Sequence, residues 1–322
     1  MSESFFLGVD GGGSKTIAVV SDENGRVCAH EVGESINFYS VGYERAQQNM
    51  AQLVRTIETK LGISEFESAA VGVSALFGRA DEYDVKRFFG GILRSKRIIM
   101  DSDLFIALEA MDMPGACAVA ISGTGSMIIA RDMFGKISTK GGWGYILGDE
   151  GSGYSIAISG IKAAIRGFDG AGKKTVLSDL LLDFAEIDTL PKILDVFYDP
   201  PMERQKIAAF ARHVYLAAKN GDEVAQKLTR DEAKLFAGTC IAQLSEIGGT
   251  VPVGVYGGVF ENNEMFLEEF EKFLRLSYKD IEVFLLTTPP QVGALYTAYR
   301  ESGIQLTDAL KSNIRKTYTK FN

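Results

Sequence analysis

The sequence predicts an α/β protein with two lobes, and a repeated hairpin is the main observation behind this expectation. Residues 8–27 (GVDGGGSKTIAVVSDENGRV) and 118–137 (AVAISGTGSMIIARDMFGKI) share one pattern without a gap. Each copy is an apolar strand, a glycine-rich turn with hydroxyl groups, a second apolar strand and a polar turn. Behind each hairpin, helical and strand-type segments alternate, which is typical of an α/β layer with a mixed sheet. At 322 residues, the chain has the length of two domains.

The first lobe is predicted to open with a three-stranded meander and to continue with alternating helices and strands. Apolar residues at Met50, Leu53, Val54, Ile57 and Leu61 follow helical spacing. The predicted strands are 5–9, 15–21, 26–32, 67–74 and 97–101, and the predicted helices are 43–61, 81–94 and 103–111.

The second lobe is predicted to repeat the hairpin and then to become mostly helical. A glycine-dense loop at 141–153 leads into a helix at 153–167, and strand 251–256 ends at Gly257 and Gly258. The remaining predictions are helices at 202–219, 222–247 and 263–276, a strand at 281–286, and a final helix from Pro290 to about Arg300.

Composition excludes several classes of function. A net charge of −8 disfavours non-specific binding to nucleic acid or to an anionic membrane, and no apolar run approaches the ~18 residues of a membrane span. Three cysteines form no C-x-x-C pair, and two histidines are too few for a clustered histidine site. Because the first residues also lack a signal-like apolar core, we expect a reduced, cytoplasmic enzyme.

The turn Gly11-Gly12-Gly13-Ser14-Lys15-Thr16 is predicted to bind phosphate without being a P-loop. A P-loop or a dinucleotide-binding turn opens a helix, whereas Thr16 is followed by the strand IAVVS. Glycines allow close backbone approach, and N–H groups and hydroxyls can face an anion. The matching turn is Ser122, Gly123, Thr124 and Gly125. Two such turns indicate one polyphosphate held from two sides, with a plain glycine turn as the alternative.

Asp10 distinguishes the two copies, since Ala120 stands at its place in the second hairpin. A carboxylate beside phosphate-binding amides is unfavourable unless a divalent cation lies between them. Mg²⁺ is held in this way by one or two carboxylates, water and phosphate oxygens. Asp10 is therefore the predicted metal residue, with an Asx-type turn former as the alternative.

Asp101 and Asp103 follow a predicted strand, where open α/β sheets bind their ligands. Either carboxylate could accept the proton of an attacking hydroxyl, as kinase aspartates do. We assign this role to Asp103 ahead of Asp101. The alternative is that one of them only caps the following helix.

The loop at 141–155 (GGWGYILGDEGSGYS) combines six glycines with Trp143, Asp149 and Glu150 before a helix. Such a loop can present backbone groups and a carboxylate to a polar ligand beside an apolar ring. A structural loop with Trp143 packed inward is the alternative. Asn37 and Ser74 are hydrogen-bonding groups at strand ends of the first lobe, and each alone would be an ordinary turn residue.

Six segments together resemble the BadF/BadG/BcrA/BcrD-type ATPases of the actin-like, sugar-kinase and Hsp70 superfamily. They are GVDGGGSKT, MDSD, SGTGS, GGWGYILGDEGSGY, YGGV and GALYTA, which occur in order from residue 8 to about 300. Within that group the chain is most similar to N-acetylglucosamine kinases. The resemblance implies a two-lobed, ribonuclease-H-like α/β fold with a mixed five-stranded sheet in each lobe and a central cleft. The lobes would be 1–115 and 116–289, with a C-terminal helix at about 290–322 packed on the first.

The resemblance also implies roles for the residues singled out above. ATP would lie between hairpins 10–16 and 122–126, with its adenosine beside Gly257 and Gly258. Asp10 would support Mg²⁺, and Asp103 would deprotonate the 6-hydroxyl of the sugar. The amino sugar would be contacted by Asn37, Ser74, Asp103, Trp143, Gly144 and Asp149. A homodimer is the expected assembly.

Other functions stay open within this resemblance. An activator ATPase that acts on a protein partner is the first rival, and a sugar-sensing module without catalysis is the second. Family members that activate radical dehydratases bind an iron–sulfur cluster with paired cysteines. Cys28, Cys117 and Cys240 show no such pairing in the sequence, which disfavours the activator. Phe77 and Arg79 could shape the sugar pocket. If Arg79 paired with an acidic substituent, N-acetylmuramate would be a substrate, although a solvated surface charge is the preferred interpretation. Glucosamine is a further candidate.

Overall fold

The structure, a computed structural model, describes residues 4–76 and 78–321. Its contacts divide the chain into two units, which are Met1–Pro114 with Leu286–Asn322 (unit 1) and Gly115–Leu285 (unit 2). The strands are β1 Phe5–Gly11, β2 Lys15–Asp22, β3 Val27–Glu34, β4 Ser68–Val73, β5 Ile98–Asp101, β6 Cys117–Ser122, β7 Ser126–Arg131, β8 Ile137–Gly141, β9 Val253–Tyr256 and β10 Val283–Leu285. The helices are α1 Phe38–Val41, α2 Tyr43–Leu61, α3 Glu82–Phe89, α4 Asp103–Glu109, α5 Gly153–Phe168, α6 Leu177–Ala185, α7 Ile193–Tyr198, α8 Arg204–Ala209, α9 Ala211–Lys219, α10 Glu223–Glu246, α11 Gly258–Asn262, α12 Glu264–Ser277, α13 Pro290–Glu301 and α14 Asp308–Tyr318, with one 3₁₀ turn at Leu190–Lys192.

The two units contain sheets of the same topology. In unit 1 the strand order is β3-β2-β1-β4-β5, and in unit 2, taken from the other edge, it is β8-β7-β6-β9-β10. In both, the hairpin strands pair antiparallel and the two later strands add in parallel. The predicted α/β fold with a mixed five-stranded sheet in each half is confirmed.

Unit 1 has a hydrophobic core on each face of its sheet. The buried stripe of α2 packs on one face against Leu7 and Val9 of β1. On the other face, α13 and α14 cover Phe6, whose ring stacks on that of Tyr299 with centroids 4.4 Å apart. Gly8 permits this contact, since a Cβ there would lie 2.3 Å from the Gln291 carbonyl oxygen.

The core of unit 2 lies between its sheet and the long helices that follow. Ala118, Ala120 and Ile128 of the hairpin pack with buried residues of α5, α10 and α12. Alanines on the inner face of β6 let these helices lie close to the sheet. The mostly helical second lobe predicted from the sequence is confirmed.

Three predicted helices differ from the observed ones. The helix expected at 81–94 ends at Phe89, because Gly90 caps it and Gly91 adopts a φ of +76°. The segment 202–219 forms α8 and α9, which meet at Phe210. α13 confirms the final helix expected from Pro290 to about Arg300, but the chain does not continue as one helix to about residue 322. Gly303, at a φ of +85°, follows α13, and Thr307 caps the start of α14 by accepting a hydrogen bond from the N–H of Leu310.

The hairpins also differ in register by one residue, although their sequences align without a gap. Gly11 pairs with Thr16 across residues 12–15, whereas Ser122 pairs with Ser126 across the shorter turn 123–125. The N–H of Gly123 donates to the Gly125 carbonyl at 2.9 Å and tightens the second turn.

Candidate functional site

Asp10 lies on a strand, because β1 continues to Gly11. Its Cα partners are Ile17 on β2 and Gly72 on β4. The alternative that Asp10 is an Asx-type turn former is therefore wrong. Asp101 is the last residue of β5 and also pairs with Gly72, so the three strands bring both aspartates to one edge of the sheet.

Asp103 is the first residue of α4, and the cap of that helix is Ser102. The Ser102 hydroxyl accepts a hydrogen bond from the Phe105 N–H at 3.1 Å, so neither aspartate is needed as the cap. Gly72 lets α4 approach the sheet, since a Cβ at that position would lie 2.4 Å from Ile106 Cδ1 and 3.2 Å from the Cα of Asp103. The absence of a side chain at Gly72 thus places Asp103 against β4.

The two aspartates after β5 have different environments. Asp101 is buried, and its carboxylate accepts a hydrogen bond from the Ser102 N–H at 2.7 Å. Asp103 is half-buried, and burial raises its pKa to about 6. Backbone N–H groups also lower the pKa of Asp103, so Asp103 is the better candidate for a base because it is less buried than Asp101 and its charge acts on Asp10.

Asp10 is close enough to Asp103 for the two carboxylates to repel each other. Burial, followed by the charge of Asp103, raises the pKa of Asp10 to about 7, while the charge of Lys15 lowers it. A raised carboxyl pKa means that the ionised form is penalised in the folded protein. A cation bound here would relieve that penalty.

Asn37 and Ser74 are brought together in the same unit. The Asn37 Nδ2 donates to Ser74 Oγ at 2.8 Å, and its Oδ1 caps α1 by accepting from the N–H groups of Tyr39 and Ser40. The Ser74 N–H donates to the Gly11 carbonyl at 3.0 Å. Both side chains are therefore fixed next to the end of β1, one residue beyond Asp10.

The tip of the unit 1 hairpin is open. Gly13, Ser14 and Lys15 are exposed. The Gly12 carbonyl accepts from Ser35 Oγ at 2.9 Å, which anchors the base of the turn. Thr16 is buried and its hydroxyl donates to the Glu34 carbonyl at 2.8 Å, so in this structure it stabilises the hairpin.

The unit 2 hairpin is bonded to the loop that follows β8. Ser122 Oγ donates to the Gly151 carbonyl and Ser126 Oγ to the Glu150 carbonyl, each at 2.7 Å. Gly257 lies directly against the hairpin at a φ of +106°, where a Cβ would be 2.4 Å from the Ser122 carbonyl oxygen. The predicted phosphate turn and the predicted glycine pair are thus neighbours.

A pocket of about 450 Å³ opens beside this hairpin. Among the predicted ligand residues, Gly123, Thr124 and Gly258 line it. Most of its wall was not predicted from the sequence, because it comes from helix faces that carry no ligand motif. These residues include Gln205, Arg212, Tyr215 and Asn262.

The glycine-dense loop exposes its aromatic ring and buries its carboxylate. Trp143 is 75% exposed, so the alternative that it packs inward is wrong. Asp149 is buried, has a φ of +64°, and accepts a hydrogen bond from the Gly144 N–H at 3.2 Å. Its carboxylate also pairs with Arg204 at 2.8 Å. Burial raises the pKa of Asp149 and the charge of Arg204 lowers it, with a net upward shift.

Glu232 of α10 fixes the end of the same loop and was not predicted from the sequence. This buried carboxylate accepts hydrogen bonds from the Gly151 N–H at 2.8 Å and from the hydroxyls of Ser155 and Ser159 at 3.0 and 2.9 Å. Its position in the middle of a long helix gives no sequence signal of this contact.

Arg79 pairs with Glu301 at 2.9 Å, with both side chains at the surface. This ion pair agrees with the preferred interpretation of Arg79 as a surface charge. Phe77, the other position considered for the sugar pocket, lies outside the described residues.

Within residues 4–76 and 78–321, no three His, Cys, Asp or Glu side chains are grouped so as to hold a metal ion, so a cation at Asp10 would need water or ligand oxygens. Cys28 is half-buried, and Cys117 and Cys240 are buried. No helix of the described chain is both long and apolar enough to cross a membrane.

Comparison with known proteins matches residues 7–295 to the BadF/BadG/BcrA/BcrD ATPase family. An N-acetylmuramic acid/N-acetylglucosamine kinase from Clostridium acetobutylicum is 31% identical over 304 residues, which covers 92% of this chain and 99% of that protein. An N-acetyl-D-glucosamine kinase from Dictyostelium discoideum is 26% identical over 92% of this chain and 98% of its own length.

Solved structures show the same fold. A putative N-acetylglucosamine kinase from Chromobacterium violaceum has a TM-score of 0.72 at 20% identity, covering 91% of this chain and 98% of that one. A ROK family glucokinase from Streptomyces griseus, solved with glucose and AMPPNP, has a TM-score of 0.58 at 16% identity, covering 92% and 98%.

Proposed function

The chain belongs to the BadF/BadG/BcrA/BcrD ATPase family and is a sugar kinase, and on that premise we propose that it transfers the γ-phosphate of ATP to the 6-hydroxyl of an amino sugar. N-acetylglucosamine is the first candidate. The observation that carries this proposal is the pair Asp10 and Asp103 at one sheet edge in unit 1, beside the hydrogen-bonded pair Asn37 and Ser74. A base, a cation site and two groups able to bind sugar hydroxyls are what such a transfer requires.

Asp103 is the proposed general base. With a pKa of about 6, its carboxylate is mostly ionised at neutral pH and is a stronger base than an ordinary aspartate. It would accept the proton of the 6-hydroxyl as that oxygen attacks phosphorus. Positioning and charge neutralisation would supply most of the remaining rate enhancement.

Asp10 is the proposed Mg²⁺ residue, and its surroundings fit this ion. Its pKa of about 7 reflects burial and the nearby charge of Asp103, and both penalties on the carboxylate would fall beside a cation. Mg²⁺ commonly takes one or two carboxylates and completes its shell with water and phosphate oxygens. When bound, Mg²⁺ would neutralise phosphate charge that develops during transfer.

The nucleotide is proposed to bind at the unit 2 pocket, with phosphates at the turn 123–125 and adenosine beside Gly257 and Gly258. The pocket is lined by this turn and by Gly258. The backbone N–H groups and glycines of the turn suit phosphate binding, and the helix faces of the pocket offer an apolar wall for the adenine ring. Gly11, Gly12, Gly13, Ser14 and Lys15 are proposed as the second phosphate-binding turn.

The residues proposed to contact the sugar are Asn37, Ser74, Asp103, Trp143, Gly144 and Asp149. Exposed Trp143 offers an apolar ring, and buried Asp149 offers a hydrogen-bond acceptor. N-acetylmuramate and glucosamine are the alternative acceptors, the first being named for the Clostridium relative. The rival activator ATPase is disfavoured by the lack of paired cysteines among the described residues.

Two further proposals accompany this function. The protein is proposed to be a homodimer, which light scattering coupled to gel filtration would report as about twice the 35.0 kDa chain mass. It is also proposed to act in the cytoplasm.

The test is ADP release by the purified protein with ATP, Mg²⁺ and a panel of sugars. The panel is N-acetylglucosamine, N-acetylmuramate, glucosamine, N-acetylmannosamine and glucose. We expect strong stimulation by one amino sugar and a 6-phosphate product by NMR. Sugar-independent hydrolysis across the panel would contradict the proposal and favour an activator ATPase.

A further inference from the structure

Arg204, the first residue of α8, lies between the two predicted ligand sites of unit 2. Its Nη2 is 2.8 Å from Asp149 Oδ2, the carboxylate proposed to contact the sugar. A Cβ added to Gly125 would lie 2.6 Å from the same Nη2 and 2.8 Å from the same Oδ2. The ion pair thus occupies the space beside the turn proposed to bind phosphate.

The Arg204 guanidinium is positioned by its neighbours, but not all of its N–H groups are hydrogen-bonded. It lies over the Tyr145 ring, 5.3 Å from the centroid, and the side chain remains 36% exposed. Its Nε is buried and has no hydrogen-bond partner among the residues that the structure describes. Since an arginine carries five N–H donors in a planar fork, Arg204 can pair with a second anion while it keeps Asp149.

The Arg204–Asp149 ion pair is not needed to hold the glycine-dense loop in place. The loop is already fixed by the hydroxyls of Ser122 and Ser126 and by Glu232. Asp149 nevertheless keeps a φ of +64°, which is uncommon for a residue other than glycine. Strained backbone of this kind concentrates where a side chain must be aimed for function.

Building on the proposed function, we propose that Arg204 couples nucleotide binding to sugar binding. The guanidinium would contact a terminal phosphate at the turn 123–125 while it orients the Asp149 carboxylate toward the sugar. The first ligand then restricts the partly exposed Arg204 side chain, and the second ligand binds to a pair whose orientation is already set. Thermodynamic linkage makes this effect reciprocal, so each ligand tightens the binding of the other by the same factor.

Calorimetry of the whole protein tests the coupling directly. The dissociation constant of AMPPNP with Mg²⁺ is measured with and without saturating sugar, using the sugar that stimulates ADP release. We expect the sugar to tighten nucleotide binding about tenfold, within the usual range for coupled sites. In Arg204→Met the factor should fall below about 2. In Lys206→Met, which removes an exposed charge from the same helix, it should match the wild type.

A second variant changes the geometry and keeps the charges. Gly125→Ala places a methyl group where Arg204 and Asp149 now meet, so the guanidinium must move and the coupling should fall as in Arg204→Met. Equal melting temperatures of the variants confirm that the loss is not one of folding.

The outcomes separate this proposal from the proposed function. If the wild type binds both ligands but shows no coupling, or if Arg204→Met retains the full factor, the coupling role of Arg204 is wrong and the kinase stands. If the wild type binds no sugar of the panel, the kinase assignment itself fails, and this inference fails with it.

Discussion

The hairpin at 8–27 ends in an exposed tip and carries a carboxylate near the end of its first strand, whereas the hairpin at 118–137 ends in a half-buried tip and has an alanine at the matching position. Gly13, Ser14 and Lys15 project from unit 1, while Ser122 and Ser126 bond to the loop after β8 in unit 2. Asp10 of the first strand is replaced by Ala120, which packs in the core of unit 2.

The same hairpin and sheet thus carry different side chains in the two units. Both sheets have the same strand order, so the hairpin occupies the same place in each. In unit 1 that place is next to Asp103 at the start of α4, where we propose the base and the cation site. In unit 2 it is next to a pocket of about 450 Å³, where we propose the nucleotide site. The comparison predicts that substitution of Asp103 in unit 1 affects turnover and that substitutions in the unit 2 pocket affect nucleotide binding.

The largest effect is expected for Asp103→Asn. Removal of the base should lower kcat by about 10³-fold, since general bases contribute roughly 10²–10⁴-fold. The dissociation constant for AMPPNP should change by less than about twofold, because the base acts in the transfer step and is not among the residues proposed to bind the nucleotide.

The matched control for that variant is Asp101→Asn, two residues away. Its side chain accepts the Ser102 N–H, and the Asn oxygen can still do so, so kcat should fall by no more than about fivefold. Equal losses of kcat in the two variants would remove the distinction between Asp101 and Asp103.

A smaller effect, on the KM for ATP instead of kcat, is expected for Gly258→Val in unit 2. A Cβ at Gly258 has only Asn262 Nδ2 nearby, at 3.8 Å, so the fold tolerates it while the pocket loses volume. The KM for ATP should rise by at least about tenfold with kcat within about threefold, since uniform binding is lost. Gly238→Val, on an exposed face of α10 with nothing within 4 Å, is the control and should leave both unchanged. A lower kcat with an unchanged KM would place the nucleotide elsewhere.

Local sequence patterns predicted the parts of the molecule that depend on neighbouring residues. The hairpins, the strand ends at Asp103 and Ser74, and the glycine-dense loop were identified because turns and strand ends have their own chemistry. Asp10 was placed in the turn instead of the strand, since strand ends depend on pairing with β4.

The residues that sequence reasoning missed act across long separations. Arg204 meets Asp149 from a helix 55 positions away, and Glu232 meets Gly151 from one 81 positions away. Arg212 and Tyr215 read as an ordinary helix face, and only the packing of α9 beside the hairpin gives them a ligand pocket. The one-residue register difference between the hairpins was likewise hidden by a gapless alignment.

The most direct test of the role of unit 1 is the pH profile of kcat/KM for the wild type. Burial raises the pKa of Asp103 to about 6, and burial with the charge of Asp103 raises that of Asp10 to about 7. Both groups must be ionised, one as base and one as cation ligand, so activity is complete above both values and is lost as the pH falls through them. We predict a plateau above about pH 7.5 and a loss of at least about tenfold per unit below pH 6, with circular dichroism confirming that the protein stays folded. A kcat/KM that stays constant from about pH 5.5 to 8 would contradict the assignment of these two carboxylates.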